Sequence, residues 1–183
     1  MDCNLGGLFY AVTGNASEVR RVILVSPKAR QGAISCIVNE GAAISDCVVT
    51  DGLIRYDPGI CGPNDYVTSG GIAGIVENAT FQRCTFSGTV GGDSNFDLYR
   101  GGIVGHSLNT TFIGCISSAQ FTGSAPNMIL TGGISGAIDR HIGPVTLQNC
   151  HWSNPVYAIG RTAAYGGDFT PNEGSSYGNS QIT

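Results

Sequence analysis

The chain has 183 residues, enough for one sizeable core, with 28 glycines, 12% charged residues and a formal charge of −4, where a globular domain has roughly 25% charged residues. The nearest thing to a basic cluster is Arg20-Arg21, which excludes the phosphate-neutralising patch that nucleic-acid binding needs. No stretch approaches the roughly 18 apolar residues of a membrane-spanning helix, and Met1-Asp2-Cys3-Asn4 does not read as a signal peptide, so the chain is expected to be an excised segment or a mature product.

Gly, Ser, Thr, Val and Ile dominate. Glycine and β-branched residues disfavour helix, while the same mix favours short strands between tight turns. In chain order the predicted elements are five copies of one two-part pattern. The first opens at Gly6-Gly7-Leu8-Phe9-Tyr10 and continues at Val19-Arg20-Arg21-Val22. The second opens at Gly32-Ala33-Ile34-Ser35-Cys36 and continues at Ile44-Ser45-Asp46-Cys47. The third, Gly70-Gly71-Ile72-Ala73-Gly74 with Phe81-Gln82-Arg83-Cys84, is the clearest. It recurs 31 residues on as Gly101-Gly102-Ile103-Val104-Gly105 with Phe112-Ile113-Gly114-Cys115. After another 31 residues come Gly132-Gly133-Ile134-Ser135-Gly136 and then Leu147-Gln148-Asn149-Cys150.

A unit this short cannot bury its own apolar side and must stack on its neighbours. The predicted fold is all-β: a right-handed parallel β-helix (β-solenoid) of about five coils with loop insertions. Residues 1–153 form the solenoid, with coils starting near 6, 32, 70, 101 and 132, and residues 154–183 form a C-terminal cap or irregular tail. Leu8, Ile34, Ile72, Ile103 and Ile134 are expected in one inward ladder. Val22, Cys47, Cys84, Cys115 and Cys150 are expected in a second, beside Val19, Ile44, Phe81, Phe112 and Leu147.

The Gly-Gly-Ile/Leu-x-Gly motif followed by an apolar-x-x-Cys strand, over roughly residues 5–153, resembles the GLUG repeat of bacterial cell-surface and adhesin-type proteins. That repeat also occurs in non-catalytic parts of secreted immunoglobulin A peptidases. The resemblance implies a parallel β-helix in an extracellular or cell-surface setting. Ala33 and Cys36 stand at glycine positions of the second coil, and Tyr10 and Val22 depart from the pattern in the first. Both outer coils are therefore expected to be irregular.

The seven cysteines include four at one repeat position, which read as a column of small buried hydrophobes. Stacked parallel side chains suit disulfide geometry poorly. Cys3, Cys36 and Cys61 lie elsewhere, and the absence of a Cys-x-x-Cys spacing argues against a zinc or thioredoxin-like site,. No cofactor is implied. Polysaccharide lyases and hydrolases built on β-helices need clustered carboxylates, whereas the acids here are scattered. Asp46 and Arg83 are expected to stack as a surface ion pair.

Asp139-Arg140-His141 reads as a solvated turn that would be the first suspect for catalysis, and His106 as a surface substitution. His151 is expected to pack beside Trp152. Asp93-Ser94-Asn95-Phe96-Asp97 begins like a calcium loop, but Leu98 and Val104 replace the required Gly and Glu,. Asn15, Asn78 and Asn109 begin Asn-x-Ser/Thr sequons at nearly the same place in their coils. They read as turn residues, since Asn tolerates a left-handed backbone.

The long return segments Leu53–Ser69, Gly91–Arg100 and Gly123–Thr131 all follow the cysteine strand, so they are expected on one side. Their ligand-binding candidates are Tyr56, Asp57, Asp65, Tyr66, Asp93, Phe96, Asp97 and Tyr99; the competing reading folds the rings back over the coil edge. The expected function is a non-enzymatic structural or adhesive segment whose partner is a glycan or a host or cell-surface protein. The alternatives are a polysaccharide-cleaving β-helix enzyme, and a solenoid that self-associates end to end through exposed strand edges.

Overall fold

The computed structural model describes residues 7–56, 66–126, 128–138, 144–154, 156–160 and 176–177, with the backbone alone at Tyr66, Ser176 and Tyr177. Short β-branched runs make strands, and glycine or a left-handed residue turns each corner between them. All regular structure among the described residues is strand. The first coil holds β1 (Phe9–Thr13), β2 (Glu18–Arg20), β3 (Ile23–Val25) and β4 (Lys28–Ala29). The second holds β5 (Ser35–Asn39), β6 (Ala43–Ser45) and β7 (Val48–Tyr56). In the third come β8 (Tyr66–Gly70), β9 (Ala73–Glu77), β10 (Thr80–Gln82) and β11 (Thr85–Gly92). The fourth repeats this as β12 (Asp97–Gly101), β13 (Val104–Leu108), β14 (Thr111–Ile113) and β15 (Ile116–Thr122). The fifth follows with β16 (Ile129–Gly132), β17 (Ser135–Ile138), β18 (Thr146–Gln148) and β19 (His151–Trp152), and β20 (Ser176–Tyr177) comes last.

Equivalent strands stack into parallel sheets, so the molecule is a parallel β-helix. Sheet A runs β1-β5-β9-β13-β17, and sheet B runs β2-β6-β10-β14-β18. Sheet C runs β3-β7-β11-β15-β19-β20, with β4 also on β7. Sheet D, β8-β12-β16, is built from the return segments. The register follows the repeat: Thr80 pairs with Thr111, Phe81 with Phe112 and Cα partners continue to Ile113. One irregularity interrupts sheet C, where Val49–Gly52 of β7 faces Phe86–Gly88 of β11 with one residue more. It is a bulge whose Asp51 has φ 52°,.

The predicted ladders form the core. Ile34, Ile72, Ile103 and Ile134 are fully buried, as are Ile44, Phe81, Phe112 and Leu147. The Phe81 and Phe112 rings sit 5.5 Å apart, tilted by 32°. Leu8 keeps the backbone register, its N–H donating to Ala33 O at 3.1 Å, yet it is 52% exposed. It occupies an inward position that no further coil covers among the described residues.

The paired glycines are there for space. A Cβ on Gly102 would lie 2.2 Å from Gly133 O and 1.9 Å from the Ser117 hydroxyl; on Gly133 it would meet the Trp152 ring at 2.3 Å. Side chains of sheet C (Phe86, Ser117 and Trp152) fill the room that Gly71, Gly102 and Gly133 leave, while the first glycine of each pair lies against backbone.

The corner between sheets B and C supplies the other rule. Arg21, Asp46, Arg83 and Asn149 have φ of 57°, 53°, 51° and 51°, and Gly114 has 60°. Each directly precedes the cysteine column. Non-glycine residues rarely adopt this conformation, and here a whole column holds it. Asn78 and Asn109, at φ 50° and 42°, mark the corner between sheets A and B, and Asn109 Nδ2 donates to Asn78 Oδ1 at 2.5 Å. Asn15 does not share their positive φ.

Stacking also continues past residue 153. Ile134 and Ser135 both donate backbone N–H groups to Ala158 O, at 2.8 and 3.1 Å. Ser135 bridges Ile159 in parallel, and β20 pairs with β19. Ala158-Ile159-Gly160 thus takes the place of Ile134-Ser135-Gly136 in a sixth turn.

Candidate interaction surface

The cysteine column is buried and reduced. Cys47, Cys84, Cys115 and Cys150 are all fully buried, and Cys36, on β5, is buried as well. Cys47 Sγ donates to Ser45 O at 3.1 Å, two residues back across the left-handed corner. Cys84 donates to Ile44 O of the preceding coil at 3.3 Å, and Cys150 to Gln148 O at 3.5 Å. Thr110 makes the same contact at the other corner, Oγ1 to Leu108 O at 2.8 Å. The thiols fill space and add a second hydrogen bond to carbonyls that already accept a backbone N–H from a neighbouring coil, as Ser45 O does from Arg21 and Gln148 O from Gly114,. Burial pushes the Cys115 thiol well above its ordinary pKa, which keeps it protonated and unreactive. Cys3 and Cys61 lie outside the described residues.

The expected ion pair is present and extends to three residues. Asp46 Oδ1 accepts from Arg83 Nε at 2.6 Å, and its Oδ2 from Arg20 Nε at 3.2 Å, linking the first three coils. The Arg83 hydrogen bond, helped by Arg20, lowers the Asp46 pKa from 3.8 to about 2.

The return loops gather beyond the end of sheet C, as their position in the repeat requires. Tyr56, Val67 and Leu98 form a small cluster with Phe96 and Ala125 against it, and Tyr99, Leu130 and Ala137 form another with Met128. Tyr56 and Tyr99 are therefore buried rings that tie the loops to the coils, with no open face for a sugar to stack on. Phe96 is half-buried beside the first cluster. Tyr99 meets His106 edge-on, ring centroids 5.6 Å apart. His106 is buried, which corrects its reading as a surface substitution; the sheet D strand lies over its position in sheet A. His151 is half-buried beside Trp152.

Asp93 is exposed and joins two successive loops, accepting from Ser124 N at 3.0 Å and Ser124 Oγ at 2.8 Å. Asp97 is half-buried, and its Oδ1 accepts no hydrogen bond among the described residues. Asp57 and Asp65 lie outside the described residues, as do Asp139, Arg140 and His141; Tyr66 is described as a strand residue of sheet D only.

Arg100 is the residue that sequence reasoning missed. From the end of sheet D it donates Nε to Thr131 Oγ1 and Nη1 to Thr122 O, both at 2.7 Å. Its guanidinium carbon lies 5.8 Å from the Phe121 ring centroid. It thus pins both ends of the third return loop. Burial lowers its pKa, but a guanidinium remains charged throughout the physiological range. The available sequence signal was a lone Arg just before a glycine pair.

What this side of the molecule presents is the outer face of sheet C. Alternation sends Val49, Ile54, Phe86, Val90 and Ala119 into the core. The residues between them point outward: Leu53 beside Thr89 and Gln120, and Arg55 beside Gly91 and Thr122. Ser87 and Ser118 lie further along the same strands. The result is a row of hydroxyl and amide groups on β11 and β15, beside the exposed apolar side chains of Ile23, Val25 and Leu53 on β3 and β7, edged by Arg55 and by the loop carrying Asp93. No group of three or more His, Cys, Asp or Glu side chains among the described residues is placed to hold a metal ion. No family model matches the chain, and no curated protein matches it by sequence.

Proposed function

We propose that this chain is a non-enzymatic structural and adhesive repeat segment of a cell-surface or secreted protein, binding an extended glycan along the outer face of sheet C. The observation that carries the reading is the flat polar array of Ser87, Thr89, Ser118, Gln120 and Thr122, flanked by Arg55. Repeated hydroxyls at strand spacing suit a linear ligand with repeated hydroxyls, and the Arg55 guanidinium suits a carboxylate on it. The likeness of the repeat to GLUG repeats supports a surface setting. The pinned loops support a rigid platform, which lowers the entropic cost of binding.

The test is a broad glycan array, with bound polysaccharide checked for shortening by mass spectrometry. Selective binding without cleavage is expected, with binding reduced at least several-fold in Gln120→Ala and Arg55→Ala. Shortened product contradicts the non-enzymatic reading. Binding that survives both substitutions contradicts the assigned face, and absence of binding to every glycan contradicts the ligand class.

A further inference from the structure

The corner thiols repeat one geometry from coil to coil. Cys47 Sγ lies 3.7 Å from Val19 O and 3.1 Å from Ser45 O. Cys84 Sγ lies 3.3 Å from Ile44 O and 3.6 Å from Gln82 O. Cys115 Sγ lies 3.6 Å from Phe81 O and 3.8 Å from Ile113 O. Each sulfur thus sits between a carbonyl two residues back and the carbonyl of an equivalent residue one coil earlier, since Val19, Ile44 and Phe81 share one column. The three side chains therefore point the same way. The backbone stacks them directly: Thr85 N donates to Cys47 O at 2.8 Å, Ile116 N to Cys84 O at 2.9 Å and His151 N to Cys115 O at 2.9 Å. None of Cys47, Cys84 and Cys115 is in a disulfide, and neighbouring thiols are close enough to perturb each other's ionisation.

This arrangement is wrong for a disulfide and right for a linear metal bridge. Stacked strands lie about 4.8 Å apart, far beyond the S–S bond of about 2.05 Å that a disulfide needs. Two metal–thiolate bonds of about 2.3 Å placed in line span about 4.6 Å. Side chains that stand across the stacking direction also put the Cβ–Sγ–metal angle near a right angle, which suits sulfur's bent bonding. We propose that neighbouring thiols of this column bind a soft closed-shell cation of the Cu(I) or Ag(I) class in two-coordinate, linear geometry. Sulfur ligands select such ions. Each ion replaces the proton of one thiol, which passes to solvent, and takes a lone pair from the next thiol. One thiolate with one monovalent cation leaves no net charge in the core. The column accommodates two ions, on Cys47–Cys84 and on Cys115–Cys150. The site uses no group of the outer face of sheet C, so it stands or falls separately from glycan binding.

Native mass spectrometry of the full chain with Ag(I) in chloride-free buffer tests it. Cys3→Ser, Cys36→Ala and Cys61→Ser together leave the column as the only thiols, and two bound ions are expected in that background. Adding Cys47→Ala and Cys150→Ala keeps two stacked thiols and is expected to leave one ion. Adding Cys84→Ala and Cys115→Ala instead keeps two thiols that are no longer neighbours, and no bound ion is expected. Should that variant lose its far-UV circular dichroism, Cys84→Val with Cys115→Val, matching Val22 in the same column, takes its place. Zn(II), which calls for four tetrahedral ligands, is expected to stay unbound. A folded column that takes up no Ag(I) overturns the proposal. Equal uptake by the two double variants also overturns it, because single thiols then capture the ion adventitiously. Uptake of Zn(II) by the column contradicts the linear geometry.

Discussion

Two glycines illustrate how differently one residue type is required. Gly114 has φ 60°, but a Cβ there would meet only Arg83 Cγ, at an ordinary 3.6 Å. Gly102 has no positive φ to explain it, yet its Cβ would strike backbone at 2.2 Å. Gly114→Ala is therefore a backbone-strain substitution costing about 1 kcal/mol, and Gly114→Asn, matching Asn149 in the same column, costs less. Gly102→Ala is a packing substitution that must push two coils apart, at roughly 3 kcal/mol or more. Urea denaturation of the three variants checks the order.

Asp46 gives a pH dependence with a definite sign. Its carboxyl pKa is lowered from 3.8 to about 2 in the folded chain. It therefore favours folding above about pH 4, and that contribution is lost as pH falls toward about 2,. Because the group is solvent-exposed, the effect is modest. The melting temperature of Asp46→Asn should fall less steeply than wild type across this acid range, and a limb of unchanged slope would show that the Arg20–Asp46–Arg83 link contributes nothing.

At the scale of the element, a strand's burial depends on whether a coil lies on each side of it. Ile103 and Leu8 hold the same column position, one fully buried and one half exposed. Ile103→Ala should cost about 2–5 kcal/mol, as a cavity in a closed core does. Leu8→Ala should cost under about 1 kcal/mol, since much of its side chain is already in water. Equal losses in equilibrium unfolding would contradict the open first coil.

The same reasoning explains which parts of the structure the sequence disclosed. Ladders at Ile34, Ile72, Ile103 and Ile134 were legible because stacking forces equivalent residues into equivalent surroundings. Burial of Tyr56 and Tyr99 was not, because return loops vary in length and their packing depends on sheet D, which the repeat motif does not mark. Arg100 escaped notice for a related reason. Its partners Thr122 and Thr131 come together only once the loop between them has folded over. The sixth turn at Ala158-Ile159-Gly160 preserves one glycine of the motif but lacks the glycine pair and the 31-residue spacing.

For the molecule as a whole, stability is expected to be a sum over coils and the contacts between neighbours. The binding proposed for sheet C depends on the hydroxyl and amide groups that β11 and β15 present outward,. The corner thiols and the Asp46 link belong to the scaffold, while the loops held by Arg100 and Asp93 set the boundary of the polar face. The proposed binding face requires that residues one repeat apart are immediate neighbours in parallel strands. Nuclear Overhauser contacts measure this directly. The account predicts cross-peaks between Phe81 and Phe112 rings, together with the interstrand amide-to-Hα pattern of a parallel pair linking Thr80–Gln82 to Thr111–Ile113. Strong Hα-to-Hα contacts of antiparallel pairing, or the absence of contacts between these segments, would contradict it.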